Sequence, residues 1–324
     1  MKKLTEQLEN NEDLNLDQIA EATDGLLNAR VKVDTKGAFL TALAKKGETP
    51  AEITGFVNAF LEHAVDPGIK GLRKPVIDIC GTGGDKMNFF NVSTTCIFPL
   101  AAAGVYVVKH GNRGITSKSG GADVLEALGI DIEMGPDKVA DCVKSVGACF
   151  LFAPAYHPAF KAVVNVRKKL AEEGQRTIFN ILGPLLNPAR PKHQLVGVFD
   201  KKLGPTFAEI MENLGRKSAW AVHGTTADGK GVDEFSTLDE TFVWATDRKP
   251  FAVDSSVLGL KVPETKDLKG GDAKKNAKIL TEILDGTDEG PKRDIVLLNT
   301  SAALTITGKA TDLRDGLEKA RELI

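Results

Sequence analysis

Residues 78–85 read Asp78-Ile-Cys-Gly-Thr-Gly-Gly-Asp85, and Asn91-Val-Ser-Thr94 follows a few positions later. An apolar run from Pro75 to Cys80 leads into the glycines, and the apolar segment from Ser93 to Ala103 is long enough for a helix. A strand, a glycine turn and a helix start in this order leave backbone N–H groups pointing at one place, where an anion binds. The pattern predicts a site for a phosphorylated small molecule. An ordinary tight turn between a strand and a helix is the alternative.

The sequence after Pro75 alternates short apolar runs with helical stretches. Strands are predicted at 75–80, 105–108, 148–152, 194–199, 219–223 and 294–298, and a short helix at 122–128. Strands separated by helices indicate a largely parallel sheet that is covered on both faces. We therefore predict the α/β class for this part of the chain.

The residues before this region have a helical pattern instead. Apolar residues at 53, 56, 57, 60 and 61 form one stripe of a helix, and Thr49-Pro50-Ala51-Glu52 fits a capping box with proline at the first helical position. Another helix is predicted around 16–27, and 158–186 is helical and basic again. With 324 residues we expect two domains. They are a small all-helical domain at 1–72, completed by about 158–190, and a larger α/β domain with a central, largely parallel sheet at 73–157 and 191–324.

Composition excludes several classes of protein. The formal net charge is −2, which gives no general attraction to nucleic acid or anionic lipid. Four cysteines (Cys80, Cys96, Cys142 and Cys149) form no C-x-x-C pair, so we expect reduced thiols in a cytoplasmic protein and no structural zinc. No secretory signal or membrane-spanning run is visible. The dinucleotide fingerprint, the P-loop and the G-x-S-x-G elbow are also absent.

A basic loop follows the predicted strand at 105–108. It reads Lys109-His-Gly-Asn-Arg113 and continues into Thr116-Ser-Lys-Ser-Gly-Gly121. Ligands in open α/β sheets bind outside the carboxyl ends of strands. Lys109 and Lys118 are suited to phosphate oxygens as point charges, and Arg113 as a fork. A solvated basic turn is the alternative reading.

Two further clusters carry charge that suits a substrate or a metal. Asp233 and Glu234 are adjacent carboxylates in a loop, and Mg²⁺ prefers one or two carboxylates together with phosphate oxygens and water. Ser93 is able to add an oxygen ligand. Arg167, on a predicted helix, is a candidate partner for a substrate carboxylate. Solvated carboxylates at 233–234 and a surface ion pair at 167 are the alternatives.

Taken together, these segments resemble the anthranilate phosphoribosyltransferase family, and the resemblance covers almost the whole chain. The order and spacing of the blocks carry it, since no single block is specific. The blocks are Lys46-Gly-Glu-Thr49, Gly81-Thr-Gly-Gly-Asp85, Asn91-Val-Ser-Thr94, Lys109-His-Gly-Asn-Arg113, Ser117-Lys-Ser-Gly120, Ala122-Asp-Val-Leu-Glu-Ala-Leu-Gly129, Phe179-Asn-Ile-Leu-Gly-Pro-Leu185, Asp233-Glu234 and Gly270-Gly-Asp272.

The resemblance implies a fold and a reaction. The fold is a small helical domain beside a larger α/β domain, the class of the pyrimidine nucleoside phosphorylases, and it forms homodimers through the helical domain. The reaction moves the 5-phosphoribosyl group of 5-phosphoribosyl 1-pyrophosphate (PRPP) to the amine of anthranilate, in tryptophan biosynthesis, with two Mg²⁺ per subunit. No nucleic acid or membrane partner is implied.

The resemblance also implies the site residues. Those of the PRPP site are Gly81, Gly84, Asp85, Asn91, Val92, Ser93, Thr94, Lys109, His110, Gly111, Asn112, Arg113, Ser117, Lys118 and Gly121. Anthranilate would meet Gly81, His110, Asn112 and Arg167. Ser93 with Glu234 would hold one Mg²⁺, and Asp233 with Glu234 the other. Lys109, Asp233 and Glu234 would act electrostatically, and no catalytic base is assigned, although His110 is the nearest candidate.

The chain departs from the family pattern at three positions. Phe89 stands where the family commonly has a threonine, Lys86 where it has a glycine, and Gly121 where it has a serine. Two hydroxyl contacts are therefore missing, which concerns affinity for PRPP more than the type of reaction. Two alternatives remain open: a pyrimidine nucleoside phosphorylase-like enzyme, and a non-catalytic paralogue that binds nucleic acid.

Overall fold

The computed structural model describes residues 1–69, 71–114 and 118–324. Thr116 and Ser117 of the basic loop therefore lie outside the described residues. The chain divides into two compact units. A helical unit contains Met1–Asp66 and Pro154–Pro188, and an α/β unit contains Pro67–Ala153 and Ala189–Ile324.

Helices and strands are numbered in chain order. The α-helices are α1 (Lys2–Glu9), α2 (Leu16–Leu27), α3 (Val33–Lys46), α4 (Pro50–Glu62), α5 (Val92–Thr95), α6 (Ile97–Ala102), α7 (Gly121–Ala127), α8 (Pro136–Val146), α9 (Ala153–Tyr156), α10 (Val164–Glu172), α11 (Phe179–Leu182), α12 (Leu203–Asn213), α13 (Ala273–Leu284), α14 (Pro291–Ile306) and α15 (Leu313–Leu323). The strands are β1 (Val76–Gly81), β2 (Tyr106–Gly111), β3 (Ala148–Phe152), β4 (His193–Gly197), β5 (Ser218–Thr225), β6 (Gly231–Val232), β7 (Thr241–Ala245) and β8 (Phe251–Val253). Short 3₁₀ helices lie at Pro158–Val163, Gly183–Leu185, Ser255–Leu258 and Thr265–Leu268.

The helical unit begins its fourth helix as the sequence predicts. Thr49 is the N-cap of α4, and Thr49 and Glu52 exchange the two bonds of a capping box, with Pro50 at the first helical position. The buried face of α4 packs through aromatic rings: Phe56 stacks on Phe60 at 6.1 Å, and Phe60 meets Phe179 of α11 at 5.6 Å. The predicted helix around 16–27 is confirmed as α2.

The α/β unit is built on one sheet. Within the described residues its strand order is β3-β2-β1-β4-β5-β7-β8, with β6 paired to β5. The pairings among β1 to β5 are parallel, and β6, β7 and β8 are antiparallel additions at the β5 side. The predicted mostly parallel sheet is confirmed, as are the strands predicted at 75–80, 105–108, 148–152, 194–199 and 219–223.

The strand predicted at 294–298 is wrong, because these residues belong to helix α14. Pro291 occupies the first turn of this helix, and every residue from Ile295 to Ile306 is buried. A helix that is buried on all sides cannot be told from a buried strand by periodicity over a few apolar residues. The helix predicted across Ser93–Ala103 is also not continuous, since α5 ends at Thr95 and α6 starts at Ile97.

Three parallel strands end in glycine at the same edge of the sheet. Gly81 ends β1, Gly111 ends β2 and Gly197 ends β4, and Gly81 pairs with Gly197 in register. Because parallel strands share their direction, the loops after them meet at one edge. A glycine at a strand end lets another segment approach the backbone closely.

The described cysteines are free thiols, and Cys80, Cys96 and Cys149 are buried. Burial raises the pKa of Cys96 to about 12 and raises that of Cys80 as well, so neither thiol is reactive near neutral pH.

None of the helices in the described ranges combines the length and the apolar character needed to cross a bilayer.

Candidate functional site

The glycine turn after β1 wraps around a carboxylate from a distant part of the chain. Gly83 and Gly84 have φ of 70° and 91°, the left-handed region that favours glycine. The N–H of Gly83 donates to Oδ2 of Asp233 at 2.6 Å. A Cβ at Gly81 would lie only 2.9 Å from Cγ of Asp233. The glycine turn and the acidic pair at 233–234 are therefore in contact.

The acidic loop at 233–234 follows β6, and helix α14 holds it in place. Buried Asn299 of α14 accepts the N–H of Phe235 at 3.0 Å and donates to the Phe235 carbonyl at 2.9 Å. A Cβ at Gly197 would overlap the Asp233 carbonyl, and a Cβ at Gly224 would lie 2.7 Å from the Glu234 carbonyl oxygen. The two glycines and the buried amide together set the position of both carboxylates.

The carboxylates of this loop are crowded. Burial, followed by the negative charges of Asp85 and Glu234, raises the pKa of Asp233 well above its ordinary value. Burial raises the pKa of Glu234 to about 7, although the cation of Lys109 and the backbone N–H of Ser93 act in the opposite direction. Partly buried carboxylates that repel one another are stabilised by a cation.

The chemistry of this donor set fits Mg²⁺. The described residues contain no group of three or more His, Cys, Asp or Glu side chains arranged to hold a metal on their own. Mg²⁺ does not need one, because it binds through one or two carboxylates and takes its other ligands from substrate phosphate and water. Asp233 and Glu234 would supply the carboxylates, and Ser93, whose backbone N–H lies against Glu234, would supply a hydroxyl.

Lys109 joins the basic cluster to the glycine turn. It lies in β2, is 4% exposed, and its Nζ donates to the carbonyl of Ile79 and to Oγ of Ser93 at 3.2 Å. Ser93 lies in the first turn of α5, directly after Asn91 and Val92. Thr94 is buried beside Gly121, where a Cβ would lie 2.8 Å from its Oγ1. The structure thus brings the 91–94 segment, Lys109 and Gly121 together.

Asp123 and Glu126 of helix α7 bind the described parts of the basic loop on either side of residues 115–117. Oδ2 of Asp123 accepts the N–H groups of Gly114 and Gly120, both at 2.7 Å. The Arg113 guanidinium donates to both oxygens of Glu126, at 3.0 and 2.7 Å. A phosphate contact by Arg113 stays a prediction, and it requires this pair to open.

The other predicted residues of this loop have different surroundings. The N–H of His110 donates to Asp78 at 3.3 Å, and His110 is 9% exposed. Oδ1 of Asn112 accepts the N–H of Arg113 at 2.8 Å. Lys118 is exposed, and Gly111 packs against the ring of Phe150. Ser117 lies outside the described residues.

Two of the three departures from the family pattern, Lys86 and Phe89, follow the glycine turn. Lys86 has φ of 58°, an uncommon conformation for a side chain of this size. Phe89 forms an isolated antiparallel bridge with Lys269, whose Nζ lies 5.8 Å from the centre of the Phe89 ring. The turn is therefore held by a neighbouring backbone segment at the position where a threonine is common in the family.

Arg167 lies on α10 in the helical unit. Its guanidinium lies 5.1 Å from the centre of the Phe179 ring. No carboxylate among the described residues pairs with it, and burial lowers its pKa. A half-buried guanidinium over an aromatic ring suits a flat, anionic ligand.

Sequence reasoning missed Gly197, Gly224 and Asn299. A signal existed for Gly197, because it interrupts the apolar run 194–199, and such a glycine often marks a close backbone approach. Asn299 gave no comparable signal. A single amide after an apolar run cannot be linked to the acidic loop at 233–234 until the fold brings α14 beside that loop.

Comparisons with known proteins cover both units. The chain matches a family model described as the glycosyl transferase family, helical bundle domain, over residues 2–64, and one described as the glycosyl transferase family, a/b domain, over residues 73–324. It is 44% identical to the anthranilate phosphoribosyltransferase of Methanosarcina acetivorans, covering 100% of this chain and 85% of the relative.

Solved structures agree with these matches. The anthranilate phosphoribosyltransferase of Thermus thermophilus is 37% identical and superposes with a TM-score of 0.91, covering 99% of this chain and 94% of that chain. The Saccharomyces cerevisiae enzyme in complex with PRPP and Mg is 29% identical with a TM-score of 0.82, covering 95% of this chain and 87% of that chain.

Proposed function

Because the chain belongs to the anthranilate phosphoribosyltransferase family, we propose that it transfers the 5-phosphoribosyl group from PRPP to the amine of anthranilate. The products are N-(5-phosphoribosyl)anthranilate and pyrophosphate, and the reaction is a step of tryptophan biosynthesis. The observation that carries this function is the meeting of the glycine turn, Lys109 with Ser93, and the acidic pair 233–234 at one edge of the parallel sheet.

PRPP binds at this edge. Gly81, Gly84, Asp85 and the 91–94 segment would line the site from the turn and α5. Lys109 to Arg113, Lys118 and Gly121 would line it from the basic loop, and Ser117, outside the described residues, is assigned by the resemblance alone. Lys109 is the residue best supported, because its buried ammonium already lies between β1 and Ser93. An ammonium in a partly desolvated place interacts with phosphate oxygens more strongly than one in water.

Ser93, Asp233 and Glu234 would hold two Mg²⁺ per subunit. When bound, Mg²⁺ neutralises the charge that develops on the leaving pyrophosphate. The raised pKa values of Asp233 and Glu234 support this proposal, since both carboxylates gain from a neighbouring dication.

Anthranilate binds through its carboxylate to Arg167, which has no carboxylate partner among the described residues, and it also meets Gly81, His110 and Asn112. The aromatic amine is neutral near pH 7, so its lone pair attacks C1 of the ribose without a strong base. The difficult step is cleavage of the C1–pyrophosphate bond. We expect an oxocarbenium-like transition state, with Lys109 stabilising the departing oxygens and His110 not essential as a base.

The experiment that tests the function follows the loss of anthranilate fluorescence. Purified protein is mixed with anthranilate, PRPP and Mg²⁺, and pyrophosphate release is measured in parallel. Equal rates of both signals, abolished by omitting PRPP, are expected. No turnover of anthranilate, together with phosphorolysis of thymidine or uridine, would identify the phosphorylase alternative instead.

The proposal extends to the assembly and the location of the protein. We expect a homodimer through the helical unit, where Leu16 is 72% exposed. Light scattering after gel filtration measures the mass directly. A cytoplasmic location agrees with the free thiols, because disulfides are rare in that compartment.

A further inference from the structure

Helix α13 contributes a buried amide that contacts Asn91, in the 91–94 segment proposed to line the PRPP site. Asn276 is 3% exposed, and its Nδ2 donates to Oδ1 of Asn91 at 2.8 Å. Its Oδ1 accepts the N–H of Gly271 at 2.7 Å. Nδ2 of Asn91 in turn donates to the carbonyl of Ser119 at 3.2 Å. Two side-chain amides thus form a continuous chain between two backbone groups.

The order of donors and acceptors along this series of hydrogen bonds is fixed at both ends. The backbone N–H of Gly271 is only a donor, so Asn276 must present its oxygen there and its NH₂ group to Asn91. Asn91 must then present its oxygen to Asn276, which directs its NH₂ group to the carbonyl of Ser119. Reversing either amide would place two acceptors or two donors in contact. One orientation therefore satisfies every member.

The segment that carries Gly271 is tied to the glycine turn. The N–H of Phe90 donates to Leu268 at 3.2 Å, and the N–H of Gly270 donates to Asn88 at 3.0 Å. Nζ of Lys269 also donates to the carbonyl of Met87. A Cβ at Gly270 would lie 2.7 Å from both Oδ1 of Asn276 and Cα of Phe90, so the contact leaves no room for adjustment.

We propose that Asn276 is a positioning residue for PRPP: it fixes the orientation of the Asn91 amide and, through it, the approach of the 91–94 segment to the basic loop at Ser119. This proposal rests on the proposed function of Asn91. These contacts use one N–H and one lone pair of Asn91, and a second N–H remains to donate to a ribose or phosphate oxygen. The Asn276 bond decides where that N–H points.

Asn276→Asp tests the proposal because it keeps the shape and removes the donor. Oδ1 still accepts from Gly271, but the second oxygen now faces Oδ1 of Asn91. Asn91 must rotate its amide, which turns an oxygen toward the Ser119 carbonyl. We expect KM for PRPP to rise roughly three- to tenfold, the effect of one hydrogen bond, while kcat and KM for anthranilate change less than about twofold.

Lys274→Gln is the matched control. Lys274 is exposed on the same helix, and this substitution changes the net charge by the same amount as Asn276→Asp. KM for PRPP should stay at the wild-type value. Asn276→Ala is measured as well, because it removes both bonds without adding a buried charge, and its KM shift should have the same direction. Melting temperatures establish that each variant is folded.

A double-mutant cycle separates the positioning role from a general structural one. In an Asn91→Ala background, Asn276→Asp should leave KM for PRPP within about 1.5-fold, since the amide that it orients is gone. An unchanged KM in both Asn276 variants, a uniform loss for both substrates, or a full effect in the Asn91→Ala background would each overturn the proposal. If Asn91→Ala itself leaves KM for PRPP unchanged, the assignment of Asn91 to the PRPP site fails first.

Discussion

Gly224→Ala should lower the Mg²⁺-dependent activity, although Gly224 is not one of the residues proposed to bind a substrate. A Cβ at this buried position of β5 would lie 2.5 Å from Cβ of Ser236 and 2.7 Å from the carbonyl oxygen of Glu234. Ordinary contact begins at 3.4 Å, so the 234–236 segment must retreat by about 0.9 Å. That segment is held by Asn299 at Phe235 and by the bond from Ser236 to Thr241 at 2.9 Å. It cannot move without straining these bonds.

The magnitude follows from the size of the shift. A misplacement of about 1 Å at a catalytic group costs on the order of 100-fold in rate, and Mg²⁺ tolerates little distortion of its octahedral geometry. We therefore expect kcat/KM to fall by roughly 100-fold and the Mg²⁺ concentration for half-maximal rate to rise. Overpacking at the same position should lower the free energy of unfolding by about 1–3 kcal/mol.

The assay is the initial rate of anthranilate fluorescence loss at a series of Mg²⁺ concentrations, with a melting curve for each variant. Gly135→Ala is the control, because no atom of the described residues, apart from those of its chain neighbours, lies within 4 Å of a Cβ at that position. It should keep the wild-type rate and Mg²⁺ dependence. A folded Gly224→Ala protein with unchanged turnover and Mg²⁺ dependence would refute the placement of Glu234 as a metal ligand.

Three other predictions concern the same site. Asp233→Asn combined with Glu234→Gln should reduce turnover at least about 100-fold and flatten its Mg²⁺ dependence; steady-state rates with and without EDTA measure both. Arg167→Ala should raise KM for anthranilate about tenfold or more with little change for PRPP, as expected for a lost charge-assisted bond; equal effects on both substrates would contradict its assignment. Without metal, Glu234 has its pKa raised from 4.5 to about 7, so between these values the folded state binds more protons than the unfolded state. Stability in EDTA should therefore fall as pH rises through this window, and added Mg²⁺ should raise the melting temperature most near its upper end, which thermal scans from pH 4.5 to 7.5 will show.

The sequence was sufficient where local rules decide the structure. The capping box at Thr49 and the glycine turn after Cys80 each depend on residues close in the chain, and both appear as predicted. The parallel sheet also followed from the alternation of apolar runs and helices. These features need no knowledge of distant contacts.

The remaining features depend on contacts between distant residues. Asp233 contacts Gly83 of the glycine turn although 150 positions separate them in the sequence, and no local pattern indicates that contact. Burial on all sides hid the helical nature of α14, because its apolar run has no polar face to reveal a period. Arg113 looks like a phosphate ligand in the sequence, whereas Glu126 on the next helix binds its guanidinium.

The charges around the glycine turn bear on the proposed Mg²⁺ dependence. Burial raises the pKa of both Asp233 and Glu234, and the nearby negative charge of Asp85 raises both further. Lys109 already donates to Ile79 and Ser93, and Arg113 is paired with Glu126. At a pH above the raised pKa values of Asp233 and Glu234, a pyrophosphate that entered this edge alone would be repelled by the ionised carboxylates. Divalent cations bound to these carboxylates would turn the repulsion of pyrophosphate into attraction. We therefore expect PRPP to bind as its magnesium complex, or after Mg²⁺ has bound, with weak affinity in EDTA.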